Sequence, residues 1–133
     1  MTRRITLLAV FAAGLLPAAG VKLPQTPAGK RFARFIEAFN SGEKARMVAF
    51  HKETANGVNA EERAAKDMEA RRQSGGLTLY KVVKSEPYSI AVLAKTVNSG
   101  EWVRFEFDVS PDPPHDVIRI MMEPAEAPKE EAD

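Results

Sequence analysis

The chain has 133 residues, no cysteine and a formal net charge of +1. Its length suits one domain around one hydrophobic core, and the lack of cysteine excludes disulfides, thiol catalysis and cysteine-ligated metal sites. Lysine and arginine are spread along residues 21–122 without the clustering that binding to a nucleic-acid backbone requires. We therefore do not expect nucleic acid as a partner.

Residues 1–20 have the three-part order of a cleavable secretory signal. Arg3 and Arg4 provide a basic start, an apolar run covers residues 5–16, and small residues lead up to Gly20, after which we predict cleavage. The run is shorter than the about 20 residues that span a bilayer, so a retained membrane anchor is the weaker interpretation. We expect a soluble periplasmic or extracellular product, exported by the general secretory route rather than the twin-arginine route.

Three helices are predicted next. The first begins at Thr26 and Pro27, where a hydroxyl can cap free amides and proline suits the first turn, and it ends at residues 40–42. Its apolar residues recur at helical spacing and predict one buried stripe. The stripe consists of Phe32, Phe35, Ile36 and Phe39.

The second helix is predicted over about residues 42–52, and the third from Asn59 to about Gln73. In the second, we expect Ala45, Val48 and Ala49 to face inward, assisted by Met47 or Phe50. The third begins with a capping box in which Glu62 follows Asn59 by three residues. Its apolar stripe is thin, so we expect it to lie on the surface; the stripe consists of Ala60, Ala64 and Met68.

Four β-type runs follow, separated by turn signals. In the third run, apolar residues alternate with mostly polar ones, which is typical of an antiparallel sheet covered on one face. Helices followed by a meander predict an α+β domain over residues 21–123, with the helices on one face of a curved sheet. An acidic tail over 124–133 is expected to be disordered. The runs are Leu77–Lys84, Tyr88–Lys95, Glu101–Val109 and Asp116–Glu123.

Several segments resemble a small domain that often precedes bacterial serine hydrolases of the beta-lactamase-like or C-terminal-processing (S41) peptidase type. The most specific is the helical opening, Thr26–Phe32 (TPAGKRF) and Ala38–Glu43 (AFNSGE); Gly75–Leu77, Trp102–Phe105 and Asp112–His115 continue the resemblance over about residues 26–122. Such domains are similar to the NTF2-like, cystatin-like α+β cone. The resemblance therefore implies that fold.

The same resemblance implies an accessory domain without established catalytic residues, here free-standing, and we expect no cofactor. We accordingly predict an exported, non-catalytic binding domain. Its partner is expected to be a serine hydrolase or peptidase, or a small apolar ligand, and a homodimer through the sheet is a further expectation. A purely structural or stress-related periplasmic role is another interpretation.

Trp102, with Arg104 two residues further on, is the leading candidate for a binding residue. An exposed aromatic side chain beside a cation is a common composition of binding hot spots. Packing beneath a loop or the tail is the competing interpretation. Tyr80, Tyr88 and His115 complete the candidate binding set, although His115 also suits a structural role in which a hydrogen bond fixes its loop.

The alternative function is a small isomerase- or hydrolase-like enzyme with acid–base residues in a pocket between sheet and helices. Its candidates are Asp108, Tyr80 and Tyr88. Asp108, however, alternates with Phe105 and Phe107, so we expect it to point away from the helices.

Two further patterns are interpreted structurally. Ser41 and Lys44 match the S-x-x-K pattern of beta-lactamases, but the partner motifs of that chemistry are absent, so we predict a helix-capping serine. His51 is predicted to be a surface or C-cap histidine at the end of the second helix. Neither His51 nor His115 has the spacing of a metal ligand, so no metal site is predicted.

Overall fold

The computed structural model describes residues 21–55 and 57–129, and the predicted signal lies outside this part of the chain. In this part of the chain, three helices precede four strands, as predicted: α1 (Pro27–Ser41), α2 (Lys44–Thr54), α3 (Ala60–Ser74), β1 (Leu77–Glu86), β2 (Ser89–Thr96), β3 (Trp102–Val109) and β4 (Val117–Pro124). The strands form one antiparallel sheet in the order β1-β2-β3-β4. The α+β class is confirmed, while the cone shape stays a prediction.

Helix α1 supplies most of the helical side of the core. The Thr26 side chain caps it by accepting a 3.0 Å hydrogen bond from the Gly29 N–H, and Pro27 occupies the first turn. The predicted phenylalanine stripe is buried against the sheet. The ring of Phe35 lies 5.3 Å from that of Phe105 and 5.8 Å from that of Phe107, between ring centroids. Phenylalanine rings therefore fill the space between α1 and β3.

The inward face of α2 differs from the prediction. Ala45 and Ala49 are exposed, Val48 is half-buried against the core, and the buried side chains are Met47, Phe50, His51 and Thr54. These residues are spaced i, i+3, i+4 and i+7, so they form one face of the helix. The bulk of Met47 and Phe50 decides which face packs, because a larger apolar side chain gains more free energy on burial than alanine does.

Helix α3 lies on the surface, as predicted. The Asn59 side chain accepts a 3.0 Å hydrogen bond from the Glu62 N–H, which confirms the cap. Ala60 and Ala64 are buried, and Met68 is half-buried. The helix ends at Gly75, whose φ of 77° is in the left-handed region that glycine adopts without strain.

Two asparagines tie the helices to the sheet. The Asn40 side chain pairs with the backbone of Leu77, since its Oδ1 accepts from the Leu77 N–H and its Nδ2 donates to the Leu77 carbonyl, both at 2.9 Å. The Asn98 N–H, in the β2–β3 turn, donates to the Ser74 carbonyl at 2.8 Å. The C-terminal ends of α1 and α3 are thus bonded to the same end of the sheet.

The two faces of the sheet have different surroundings. In β3, Val103, Phe105, Phe107 and Val109 are buried toward the helices, as predicted. The intervening side chains lie on the opposite face, which we call the outer face; they are Trp102, Arg104, Glu106 and Asp108. The described helices pack on the opposite face of the sheet, so the side chains of the outer face are open to contact with a partner.

Candidate binding face of the sheet

Three side chains from three adjacent strands meet at one end of the outer face. The ring of Tyr80 in β1 meets that of Trp102 in β3 edge to face, with centroids 5.1 Å apart and planes at 88°. Between them, the Lys95 Nζ in β2 lies 4.9 Å from the Trp102 ring centroid, within cation–π range. We call Tyr80, Lys95 and Trp102 the aromatic cluster.

Strand register explains why these residues meet. Lys95 is directly opposite Trp102 in the β2–β3 pairing, and Thr78 is opposite Lys95 in the β1–β2 pairing. The β1–β2 register shifts between Leu79 and Lys81, so Tyr80 is an extra residue in β1. Such a bulge redirects a side chain, and here the Tyr80 ring extends over β2 to reach Trp102.

Arg104 belongs to an ionic network in the middle of the outer face. Its centre is Glu106, whose side chain is only 14% exposed. Three cations surround this carboxylate, at N–O distances of 3.3 Å for Lys84, 3.6 Å for Arg104 and 3.3 Å for Arg119. Arg119 also lies 3.3 Å from the Asp108 carboxylate. We call these residues the Glu106 network.

The aromatic cluster and the Glu106 network adjoin at Arg104. Its guanidinium lies 3.6 Å from Glu106 and 4.0 Å from Glu123, while its backbone is two residues from Trp102. Beneath these long side chains, Ala91 and Leu93 of β2 are buried although they lie on the outer face. The face therefore has a shielded apolar layer, a half-buried tryptophan and a fixed pattern of charge.

The structure places Tyr88 and His115 at the opposite end of the sheet from the aromatic cluster. Their rings stack with centroids 5.7 Å apart. The His115 Nδ1 lies 2.9 Å from the Ser110 carbonyl, so the side chain fixes the loop before β4, which is the structural role predicted for it. Arg31 of α1 also holds this loop, donating to the Pro114 carbonyl at 2.7 Å. The five candidate binding residues thus lie in two separate places.

The proposed acid–base residues do not share a pocket. Asp108 points to the outer face, as predicted, where it accepts a 2.5 Å hydrogen bond from the Ser89 hydroxyl. Tyr88 is in the β1–β2 turn and Tyr80 is at the far end of the sheet. Between the helices and the sheet, the space that this alternative assigned to a pocket is filled by the rings of buried phenylalanines. These are Phe32, Phe35, Phe39, Phe50, Phe105 and Phe107.

His51 is buried rather than exposed, which corrects the prediction for this residue. Its Nε2 lies 2.6 Å from the Asp67 carboxylate, and its Nδ1 is buried without a hydrogen-bond partner among the described residues. The spacing of His51 from Met47 and Thr54 was the available signal, because these positions share one face of a helix. Ser41 has a local role: its hydroxyl donates to the Ala38 carbonyl and accepts from the Glu43 N–H, joining α1 to α2.

A separate groove of about 1080 Å³ runs along α1 beside the lead-in segment and the loop before β4. Apolar side chains form part of it. Lys30, Arg31 and Arg34 add three cations, of which Arg34 is paired with Glu53, and Glu37 adds one carboxylate to the lining. Other residues that line the groove are Leu23, Pro27, Ile36, Pro114 and His115. The groove therefore combines apolar walls with an excess of positive charge.

Within residues 21–55 and 57–129, no cluster of three or more histidine or acidic side chains could hold a metal ion. None of the helices in this described part is long and apolar enough to cross a membrane. Comparison of the chain with protein-family models, with curated proteins and with solved structures finds no match.

Proposed function

We propose that the chain is an exported, non-catalytic binding domain that docks a protein partner on the outer face of its sheet. The observation that carries this proposal is the aromatic cluster beside Arg104. Tryptophan, tyrosine and arginine are the residue types most enriched at binding hot spots. Here a tyrosine ring and a lysine ammonium group already hold the tryptophan in place, so binding costs less side-chain entropy.

The nature of the partner follows from the charge pattern and from the sequence resemblance. Arg104 and Lys95 flank Trp102, so the complementary surface carries an apolar pocket beside a carboxylate. The segments similar to the accessory domain of bacterial serine hydrolases make a periplasmic or extracellular serine hydrolase of the beta-lactamase-like or S41 type the first partner to test.

The experiment uses a photo-crosslinking amino acid placed at Trp102 in the producing cell, with the same amino acid at Glu62 on the exposed side of α3 as control. We expect Trp102 to trap one protein that Glu62 does not trap. That protein is then purified and titrated against the natural chain, in which Trp102 is the only tryptophan, so its fluorescence reports the site directly. Equal trapping from both positions, or no change in fluorescence on titration, would contradict the proposal.

Export is the part of the proposal that rests on residues 1–20. Their basic, apolar and small-residue order matches a signal removed after Gly20. Intact-mass measurement of the protein from the periplasm or medium should give a chain that begins at Val21. A product that retains Met1 and remains in the membrane fraction would instead support the anchor interpretation.

A second candidate function, binding of a small apolar ligand, is favoured by the groove along α1. Its apolar walls and positive charge suit a ligand with an apolar body and a carboxylate, for which laurate is a simple probe. Calorimetric titration should show binding that Lys30→Glu weakens several-fold and that Lys66→Glu on α3 leaves unchanged. Equal affinity in all three proteins would eliminate this candidate.

A further inference from the structure

Strand β4 is at the edge of the sheet. It pairs with β3 on one side, and no strand of the described part of the chain pairs with its other side. Helix α1 packs on β1, β2 and β3, whereas none of the described helices packs extensively on β4. An unpaired edge offers a row of backbone donors and acceptors to another strand.

The side chains of this edge are unusually apolar for an exposed strand. Ile118 is 63% exposed, Met121 39% and Met122 38%. Met122 lies opposite Phe105 and so belongs to the helix-side face, while Met121 lies opposite Glu106 and belongs to the outer face. Natural proteins commonly protect an exposed edge with charged side chains, yet β4 has apolar side chains exposed on both of its faces.

Backbone directions show which amides are open. The Ala125 N–H donates to the Trp102 carbonyl across the β3–β4 pair. Because successive amides of an antiparallel strand point to alternate sides, those of Met121 and Glu123 also point to β3. The amides and carbonyls of Ile120 and Met122 therefore point to the open side, and Pro124, which has no N–H, ends the strand.

We propose that β4 pairs antiparallel with β4 of a second copy of this chain, about a two-fold axis at Met121. This register places Ile120 opposite Met122 of the second copy on the helix-side face. On the outer face, it places Arg119 opposite Glu123 of the second copy. The symmetry repeats both pairs, as in any isologous contact, and it joins the two four-stranded sheets into one.

Charge complementarity favours a second copy of this chain as the partner of β4, and it favours this register. With the axis at Met121, each copy places a cation opposite an anion, and opposite charges stabilise a directly facing pair. With the axis at Ile120, Arg119 would lie opposite Met121; with the axis at Met122, it would lie opposite Ala125. Either shift removes both ionic pairs. The strand is therefore complementary to itself in one register.

The size of the contact sets its strength. A single pair of short strands buries less than the roughly 1,200 Å² at which stable interfaces begin. We therefore expect a reversible dimer with a dissociation constant of about 1–100 μM. The outer face stays accessible in this dimer, so the dimer is independent of the docking proposed above.

The absence of cysteine allows a direct test of the register. Met121 lies beside its own copy at the two-fold axis as a non-hydrogen-bonded pair, which has Cα atoms about 4.5 Å apart, within the range that a disulfide spans. Mild oxidation should convert full-length Met121→Cys to a covalent dimer. The control is Val83→Cys on β1, whose parent side chain is 43% exposed. It should form no covalent dimer under the same conditions.

Sedimentation of the natural chain over a concentration series provides the second measurement. We expect Glu123→Lys to raise the dissociation constant about tenfold, since it places a cation opposite Arg119 of the second copy in both pairs. Circular dichroism checks that each variant is folded. A natural chain that is monomeric at every concentration would overturn the proposal, as would equal oxidation rates for Met121→Cys and Val83→Cys. A dimer that Met121→Cys fails to trap would overturn the register.

Discussion

The Nε2 atom of His51 in α2 lies 2.6 Å from the Oδ2 atom of Asp67 in α3, and this hydrogen bond joins the two helices. The His51 side chain is 2% exposed and that of Asp67 is 22% exposed. The other imidazole nitrogen, Nδ1, has no hydrogen-bond partner among the described residues. Asp67 therefore provides a hydrogen-bond partner for one of the two ring nitrogens of a side chain that is shielded from water.

Asp67→Ala should lower the free energy of unfolding by about 2 kcal/mol, because it leaves a buried polar ring without a partner. His51→Leu should cost less, since it replaces that ring with an apolar side chain of similar size. Combined, the two changes should show a coupling of about 1–2 kcal/mol in a double-mutant cycle. Urea denaturation followed by circular dichroism measures each value.

The control for this cycle is the ion pair between Arg34 and Glu53. Its atoms are 2.7 Å apart, nearly the same distance, but both side chains are more than half exposed. Glu53→Ala should therefore change the free energy of unfolding by less than about 1 kcal/mol. If the buried and exposed pairs gave equal losses, burial would not be the source of the His51 contribution.

Phe35→Ala should be among the most destabilising single changes in the helical layer. The Phe35 ring contacts phenylalanine rings of α1, α2 and β3, so its removal leaves a cavity that three elements border. The expected loss is about 3–5 kcal/mol. Phe35→Leu should lose less, and Val97→Ala, in the exposed β2–β3 turn, should lose almost nothing. Thermal unfolding of the three variants checks this order.

Sequence periodicity predicted those features of the fold that depend on a strong local pattern. The phenylalanine stripe of α1 and the alternation of β3 are unambiguous, because each has large apolar residues on one side and mostly charged residues on the other. In α2, the small residues Ala45 and Ala49 and the large residues Met47 and Phe50 lie on different sides of the helix; the prediction takes the alanine side as inward, whereas Met47 and Phe50 bury more area. Because the prediction takes the wrong face as inward, it also places His51 at the surface.

The candidate site was predictable only in part. Alternation placed Trp102 and Arg104 on the outer face, but it gives no information about neighbours across the sheet. The contact between Tyr80 and Trp102 depends on the register shift after Leu79, and the position of Lys95 depends on the β2–β3 pairing. Such relationships join residues far apart in the chain, so local patterns do not contain them.

Gly29→Ala tests the close approach of the lead-in segment to α1. Helix propensity alone predicts that alanine stabilises this helical position by about 1 kcal/mol. A Cβ at Gly29, however, would clash with the backbone carbonyl oxygen of Pro24. We therefore expect a net loss of about 1–3 kcal/mol from overpacking, together with faster hydrogen exchange in residues 21–26.

The matched control for this glycine is Ala33→Gly, which is one turn further along α1. It should lose about 1 kcal/mol, the cost of glycine in a helix interior. Helix propensity alone predicts opposite changes in the free energy of unfolding for the two substitutions, whereas the structure predicts that both destabilise. A more stable Gly29→Ala variant would show that the lead-in segment does not pack on α1 in solution.

Glu106→Gln tests whether charge holds the middle of the outer face together. The amide keeps the size of the side chain and removes its charge, so Lys84, Arg104 and Arg119 then surround a neutral group. We expect a loss of about 1–2 kcal/mol at low salt, since the three cations repel one another without the carboxylate. At about 1 M salt the Debye length falls to about 3 Å, so most of this loss should disappear.

Urea, which is uncharged, is the denaturant for both conditions, and Glu101→Gln in the exposed turn before β3 is the control. A loss that is the same at both salt concentrations would show that Glu106 acts through packing, and the fixed charge pattern proposed for partner docking would then lack its support.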